Sequence, residues 1–425
     1  MTPSKERILA AVDRLFDSQV RFLEILVAFP SLRNAETAAQ DFIEAALKER
    51  GYKVNRFRSD ASRIGKHPAF SPATVSYDES WNIVGQRPAA GSGGRSLAFN
   101  SHVDVVPAGS AHRWTSPPFA PVREGDWLYG RGAGDMKAGL VASIFALDAV
   151  TEAGLSLRGD VQVQSVVEEE ITGNGAATAF ALGFLADAVV SPEPTDEQLV
   201  RANAGVIKFR LETRGRPAHP REPESGQSAI DLMIRLVGHL RELERKWIAE
   251  RQGKRLFEDI ANPVALTIGT ISGGDWIASI PSDCTAEGRI GFYPGEDPKV
   301  RAAEFEAFLD RIRREDPAFA GEDLVSLRWV GVMHGGYELA EGTEAESCLR
   351  AAHALTHGSE LQSYVMACYL DAAVFSVHGN IPSLVYGPIA QNIHGIDERV
   401  SLSSLKRVTA TLALFAADWC GVQEA

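Results

Sequence analysis

The chain has 425 residues, 45% of them hydrophobic and 23% charged, and a formal net charge of −13. That length exceeds what one hydrophobic core usually serves, so two domains are expected; the acidic balance argues against nucleic-acid binding, which needs clustered Lys and Arg. Four scattered cysteines (Cys284, Cys348, Cys368, Cys420) without a C-x-x-C pair argue against a disulfide framework or a thiolate zinc site, and there is no run of about 18 apolar residues to span a membrane.

Met1 to Arg7 lead into an amphipathic stretch without a continuous apolar run, unlike a signal peptide, so a cytoplasmic protein is expected. Helical spacing of Ile8, Val12, Leu15 and Phe16, then of Phe42, Ala46 and Leu47, predicts two helices broken around Pro30 and stopped at Gly51. Trp81-Asn82-Ile83-Val84 reads as a strand before a Gly/Ser/Pro-rich turn. The apolar run Leu97-Ala98-Phe99 reads as a buried strand that ends in Ser101-His102-Val103-Asp104-Val105-Val106-Pro107. A Pro- and aromatic-rich loop over 108–127 leads to the glycine-rich Gly130-Arg131-Gly132-Ala133-Gly134-Asp135-Met136-Lys137, and an apolar helix is expected over 140–150. Taken locally, Asp135 reads as a helix N-cap.

Residues 161–167 alternate like a strand and end in Glu168-Glu169-Glu170; Ala188-Val189-Val190 ends in Ser191-Pro192-Glu193-Pro194-Thr195. From Gly205 the order becomes strand 206–213, helix 228–248, strand 264–268, strand 285–293, helix 297–314 and strand 324–330. That β-α-β-β-α-β order is a ferredoxin-like sandwich. After about Met333 the chain returns to the first domain with a helix (345–356), a strand (382–387), His394 in a loop and a last helix (403–419). The fold class is therefore α/β: a mixed, mostly parallel sheet flanked by helices, with an inserted α+β domain. The expected boundaries are 1–204, 205–333 and 334–425.

Open α/β sheets put their ligand sites outside the carboxyl ends of strands. Three successive strand ends deliver His102 with Asp104, Glu169 with Glu170, and Glu193, and a connecting loop delivers Asp135. In extended chain residues i and i+2 share a side, so the Asp104 carboxylate is expected to hold one ring nitrogen of His102 and free the other for a metal. If His102, Asp135, Glu170, Glu193 and His394 converge, a mixed imidazole and carboxylate set suits zinc, or manganese or cobalt. Five ligands are too many for one catalytic ion; two ions sharing Asp135 would each take one His and one Glu. Two metals about 3.5–4 Å apart activate water for hydrolysis, and Glu169 is the candidate base that moves the proton to a leaving amine. Glu168 is left as structural or solvent-facing.

Five motifs together resemble the M20 metallopeptidase family, which includes acetylornithine deacetylases, succinyl-diaminopimelate desuccinylases, aminoacylases and glutamate carboxypeptidases. They are the Ser-His-Val-Asp-Val-Val-Pro, Gly-Arg-Gly-Ala-Gly-Asp-Met-Lys and Pro-Glu-Pro-Thr segments above, Glu-Glu-Glu-Ile-Thr-Gly-Asn-Gly at 168–175 and His-Gly-Ile-Asp-Glu at 394–398. The resemblance implies a zinc-exopeptidase-like catalytic domain, an inserted ferredoxin-like lid through which relatives dimerise, and two zinc ions. His102 and Glu193 would hold one ion, Glu170 and His394 the other, with Asp135 as the bridge. It further implies that His219, in Gly215-Arg216-Pro217-Ala218-His219-Pro220, reaches a partner's active site to stabilise an oxyanion. Arg289 would grip a substrate carboxylate.

Two departures bear on substrate. Ala373 stands where common relatives carry an Arg two positions after the Asp matching Asp371, and Ala278 stands where a lid Asn is usual. The expected activity is removal of an N-acyl group from a small amino-acid-like substrate, in the manner of acetylornithine deacetylases. An M20 dipeptidase or carboxypeptidase is the alternative, and a catalytically silent metal-binding regulatory protein a further one.

Overall fold

The computed structural model describes residues 1–321 and 323–425, with Arg63 described for its backbone alone. Its central sheet runs in the order Lys53–Arg58, Trp81–Arg87, Val161–Val166, Leu97–His102, Ala188–Ser191, Ser383–Val385. The last four strands are parallel and the first two antiparallel, so the sheet is mixed. Alternate residues of each strand face opposite layers. Leu97, Phe99, Val161, Val163 and Val190 join the large core, whereas Ala98, Val166 and Val189 pack in a smaller one with Ala176, Ala177 and Phe375.

Pro3–Ala28, Ala138–Glu152 and Leu402–Cys420 pack on one another in the large core. The middle helix is apolar on nearly every side and is buried almost throughout. Gly139 lets it lie against the loop after Ala188–Ser191, because a Cβ there would stand 1.9 Å from the Pro192 carbonyl oxygen. Among the described residues no helix is long and apolar enough to cross a membrane.

The inserted region forms an antiparallel sheet in the order Leu266–Gly273, Asp283–Phe292, Gly205–Arg214, Val325–His334. Two helices, Ala229–Ala249 and Pro298–Glu315, cover one face of it. The first is capped by the Ser228 hydroxyl and buries Leu232, Leu236, Leu240, Leu243 and Trp247 at helical spacing. This is the expected ferredoxin-like order, and it has a core of its own.

The structure adds elements that local pattern did not predict. The 108–127 segment contains the strand Val122–Glu124 and runs into Trp127–Tyr129, which pairs with Arg399–Ser401. Leu199–Asn203 pairs in parallel with Ser363–Met366. Asp135 is not a helix N-cap: it lies in the turn Ala133–Lys137 that leads into Ala138–Glu152, with extended backbone at φ −114° and ψ 101°.

Candidate active site

Leu97–His102 lies between Val161–Val166 and Ala188–Ser191, parallel to both. Their carboxyl ends therefore open on one edge, bringing His102, the 168–170 run and Glu193 together. Glu168 turns the chain out of its strand with a left-handed φ of 71°. Such a conformation costs a non-glycine residue about 1–2 kcal/mol, and buried partners offset it. The carboxylate is only 1% exposed and forms a two-point ion pair with Arg33, accepting also from the Tyr77 and Thr172 hydroxyls. Glu168 is thus structural and buried rather than solvent-facing.

Asp135 sits at the middle of the cluster. Its Oδ1 lies 3.2 Å from His102 Nε2 and its Oδ2 3.3 Å from His394 Nε2. His394 Nε2 is also 3.1 Å from the Glu170 carboxylate, and His102 Nε2 is 3.9 Å from Glu193 and 4.0 Å from Glu169. His102, Asp135 and Glu170 can each offer one ligand atom with all three inside 4.8 Å of one another. The donor set fits a cation: bonds of 2.0–2.2 Å to a tetrahedral zinc would place donors roughly 3.3–3.6 Å apart, close to the separations around Asp135.

The electrostatics fit as well. Burial pushes Glu169 and Glu193 well above the ordinary carboxylate range, and neighbouring carboxylates add to the rise. Burial also opposes ionisation of Asp135, yet hydrogen bonds from His102 and His394 hold it below that range. Hydrogen bonds that His394 donates to the Asp135 and Glu170 carboxylates push it up to about 11. A divalent ion among these acids would relieve their mutual repulsion.

Asp104 contributes by two routes. Its carbonyl oxygen is 2.9 Å from His102 Nδ1, while its carboxylate is 3.6 Å from the same nitrogen. The carboxylate instead accepts the Glu170 N–H at 3.2 Å, tying the first strand end to the second. With Nδ1–H on the carbonyl, Nε2 is left facing Asp135.

Asp135, Glu169, Glu170, Glu193 and His394 line one cavity of about 470 Å³, together with Lys208 and Arg289 from the inserted sheet. Arg289 donates to the Ala367 carbonyl at 2.9 Å, and among the described residues its buried Nε has no partner. His219 is in a different place: exposed on its turn, its Nδ1 accepts the Arg221 N–H, and it does not line the cavity. Ala278 is exposed in the loop between two strands of the inserted sheet, and Ala373 is fully buried.

Three neighbours of the site were not read as site residues from the sequence. Asp371 is 3% exposed, accepts the Tyr369 hydroxyl at 2.9 Å and is pushed by burial up to about 7. Lys208 donates to the Glu170 carbonyl at 2.6 Å. Cys368 lines the cavity, and burial raises its thiol to about 12. Strand alternation could have put Lys208 on a face, but only tertiary contact shows what that face meets.

Comparison with known proteins agrees with this geometry. Residues 98–418 match the model of peptidase family M20/M25/M40. The chain is 27% identical over 446 residues to an N-formyl-4-amino-5-aminomethyl-2-methylpyrimidine deformylase of Halalkalibacterium halodurans, covering 99% of this chain and 98% of that one. It is 28% identical over 421 residues to the Bacillus subtilis protein of the same name, covering 92% and 91%. A solved di-peptidase of Saccharomyces cerevisiae superposes with a TM-score of 0.81 at 15% identity, over 99% of both chains, and so shares the fold. With the motif residues gathered at one sheet edge and the family match spanning most of its length, the chain belongs to peptidase family M20/M25/M40, a family of amide-bond hydrolases.

Proposed function

We propose that this protein is a two-metal amidohydrolase that removes a short N-acyl group from a small amine or amino-acid-like substrate. The observation that carries this function is Asp135, whose two oxygens face two different histidines. His102 and Glu193 would hold one zinc ion, Glu170 and His394 the other, and Asp135 would bridge them; cobalt or manganese suit the same donors. When bound, the two ions supply Lewis acidity that polarises an amide carbonyl and lowers the pKa of water.

The chain's own residues do the rest. Glu169 stands at the rim of the donor cluster with its carboxylate buried and its proton affinity raised. That suits a group which takes a proton from water and returns it to the leaving nitrogen near neutral pH. Asp104 fixes the His102 ring and the Glu170 backbone. Arg289, with a spare buried N–H, would hold an anionic substituent of the substrate. Residues 1–204 and 334–425 form the catalytic unit, and 205–333 the lid. Ile234, Ile271, Trp276 and Ile277 are exposed on that lid, which supports a homodimer through it. His219, outside its own cavity, would then serve the partner's cleft as an oxyanion donor.

The test is turnover of a panel of N-formyl, N-acetyl and N-succinyl amines beside dipeptides. Acyl amides are expected to react; turnover of dipeptides alone would overturn the deacylase function in favour of a dipeptidase. Within the panel, the two deformylases that match nearly the whole chain favour a formyl group on a heteroaromatic amine. Met366, Tyr369, Leu370 and Ile393 give the cavity an apolar wall for such a ring. The Glu-Glu-Glu-Ile-Thr-Gly-Asn-Gly motif favours an acetylornithine-like acetyl group, and Arg289 an anionic amine portion.

A further inference from the structure

Two motif residues have no part in the chemistry above, yet they are buried together at its edge. Arg131 and Glu398 lie 267 positions apart in sequence and form an ion pair with side chains 2% and 1% exposed, Nη1 to Oε2 at 2.5 Å. An ion pair this deep gains little net stability over apolar packing of similar volume, so what else it touches decides its role.

Glu398 Oε1 accepts the Gly134 N–H at 2.9 Å and the Asp135 N–H at 3.1 Å, and the Glu398 carbonyl accepts the Gly130 N–H at 2.9 Å. Arg131 Nη2 donates to the Gly395 carbonyl at 2.9 Å and, more weakly, to that of Pro107 at 3.4 Å. The Trp114 ring packs against the guanidinium at 5.3 Å. One ion pair therefore grips the backbone beside Asp135, the backbone beside His394 and the end of the turn that starts at His102. Gly134 also lets this turn lie against the 390–393 segment that leads to His394, since a Cβ there would stand 2.7 Å from that of Ala390.

We propose that Arg131 and Glu398 are the positioning pair of the metal centre: they set the distance between Asp135 and His394, and with it the span that two cations occupy. This rests on the two-metal function proposed above. Neither side chain reaches the cavity; both act through backbone on residues that do. The fork geometry of arginine is required, because one guanidinium must meet a carboxylate and two carbonyls at once.

The test is calorimetric titration of metal-free protein with Co²⁺, alongside the melting temperature of the metal-free form. Glu398→Gln keeps an oxygen for Gly134 and Asp135 but sets its amide against Arg131. Arg131→Lys keeps the charge but loses the fork. Outer partners of metal ligands typically contribute 10–100-fold in affinity, and both variants are expected to weaken cobalt binding roughly that much. Glu346→Gln is the control: it breaks the similarly buried Arg201–Glu346 pair, neither of whose residues lines the cavity, and is expected to lower the melting temperature without weakening cobalt binding. Affinities within twofold of wild type in both positioning variants would overturn the proposal, as would equal weakening in Glu346→Gln. If Glu398→Gln does not fold, Arg131→Lys decides in the same assay. Wild-type protein that takes up no cobalt would instead overturn the two-metal function on which the proposal stands.

Discussion

The carbonyl oxygen of Ile171 accepts the Val332 N–H at 2.7 Å, so the last strand of the lid is hydrogen-bonded to the loop that carries Glu169 and Glu170. Lys208, from another lid strand, holds the Glu170 carbonyl of the same loop. Gly331 makes the approach possible: its φ is +80°, and a Cβ would stand 2.5 Å from the Ile171 oxygen. Gly331→Ala combines that clash with a left-handed alanine, a cost of about 1–3 kcal/mol, and pushes the Glu169 loop out of place. The melting temperature should fall by a few degrees and kcat at least tenfold, with KM changing less. Unchanged kcat would show that the lid strand and the loop are not coupled.

Glu169→Gln keeps the shape of the side chain and removes its capacity to carry a proton. General acid–base catalysis contributes typically about 10²–10⁴-fold, so kcat should fall by that range. Metal analysis should still find two ions per chain, because Glu169 is not among the proposed ligands. Loss of metal along with activity would make Glu169 a ligand and leave the base unassigned.

The candidate cluster was legible where a side chain and its strand end are neighbours in sequence, and illegible where the partner is remote. His102, Glu170 and Glu193 stand at or just past the ends of neighbouring parallel strands, which brings them to one edge, while Asp135 follows a glycine-rich turn and His394 lies in a loop. Glu168 stayed open between a structural and a solvent-facing role because nothing local names Arg33, which lies 135 positions away. Arg131 gave no sign of Glu398 for the same reason. The lid's order was readable because each strand and helix has its own period, while the pairing of Leu199–Asn203 with Ser363–Met366 is a long-range contact that no local pattern encodes. The expectation for Asp135 as an N-cap failed because a local rule was applied at a site whose backbone is fixed from outside, by Glu398.

His334, at the end of the last lid strand, gives the protein a sensitivity to acid. It is buried, its Nδ1–H donates to the Gly335 carbonyl, and its Nε2 accepts from His378 at 2.9 Å. Burial lowers its pKa to about 4, and His378, itself lowered by burial and by His67, adds to the fall. The folded pKa lies below the ordinary value of about 6.5, so the unfolded chain binds the proton more tightly. Stability from this residue is therefore complete above pH about 6.5 and is lost as pH falls towards 4. The shift corresponds to a loss on the order of 3 kcal/mol. Urea midpoints of wild type and His334→Gln, taken at pH 7.5 and 4.5, should differ more at the higher pH. A gap independent of pH would mean that His334 does not titrate in this window.

Removing the metals should cost stability as well as activity. The proposed ligands come from strand ends and loops spread between residues 102 and 394, so a bound ion ties those segments together only in the folded state. Binding to the native state alone stabilises by about 2.7 kcal/mol per site when the free ion stands at 100 times its dissociation constant. Chelation should lower the melting temperature and abolish turnover, and added Zn²⁺ or Co²⁺ should restore both. The helices and sheets rest on apolar packing that is independent of the proposed ligands, so the metal-free protein should keep its far-ultraviolet circular dichroism. Collapse of that signal on chelation would show that the ions are needed to build the fold.

Arg289 is the residue whose replacement speaks most directly to substrate. It lines the same cavity as the proposed ligands and is paired across adjacent strands with Lys208. Two cations directly opposed on adjacent strands repel one another, and burial already lowers the pKa of each. An anionic substituent on the substrate would relieve both costs and take up the partnerless Nε of Arg289. Hydrogen bonds to charged groups contribute about 1.5–3 kcal/mol, which corresponds to roughly 10–150-fold in affinity. Arg289→Met should therefore raise KM by that factor for acyl amino acids that carry a free carboxylate, with kcat little changed, and should leave N-acyl derivatives of uncharged amines unaffected. Equal effects on both substrate classes would assign Arg289 to holding the Ala367 backbone and the shape of the lid, and would shift the preferred substrate towards the uncharged heteroaromatic amine.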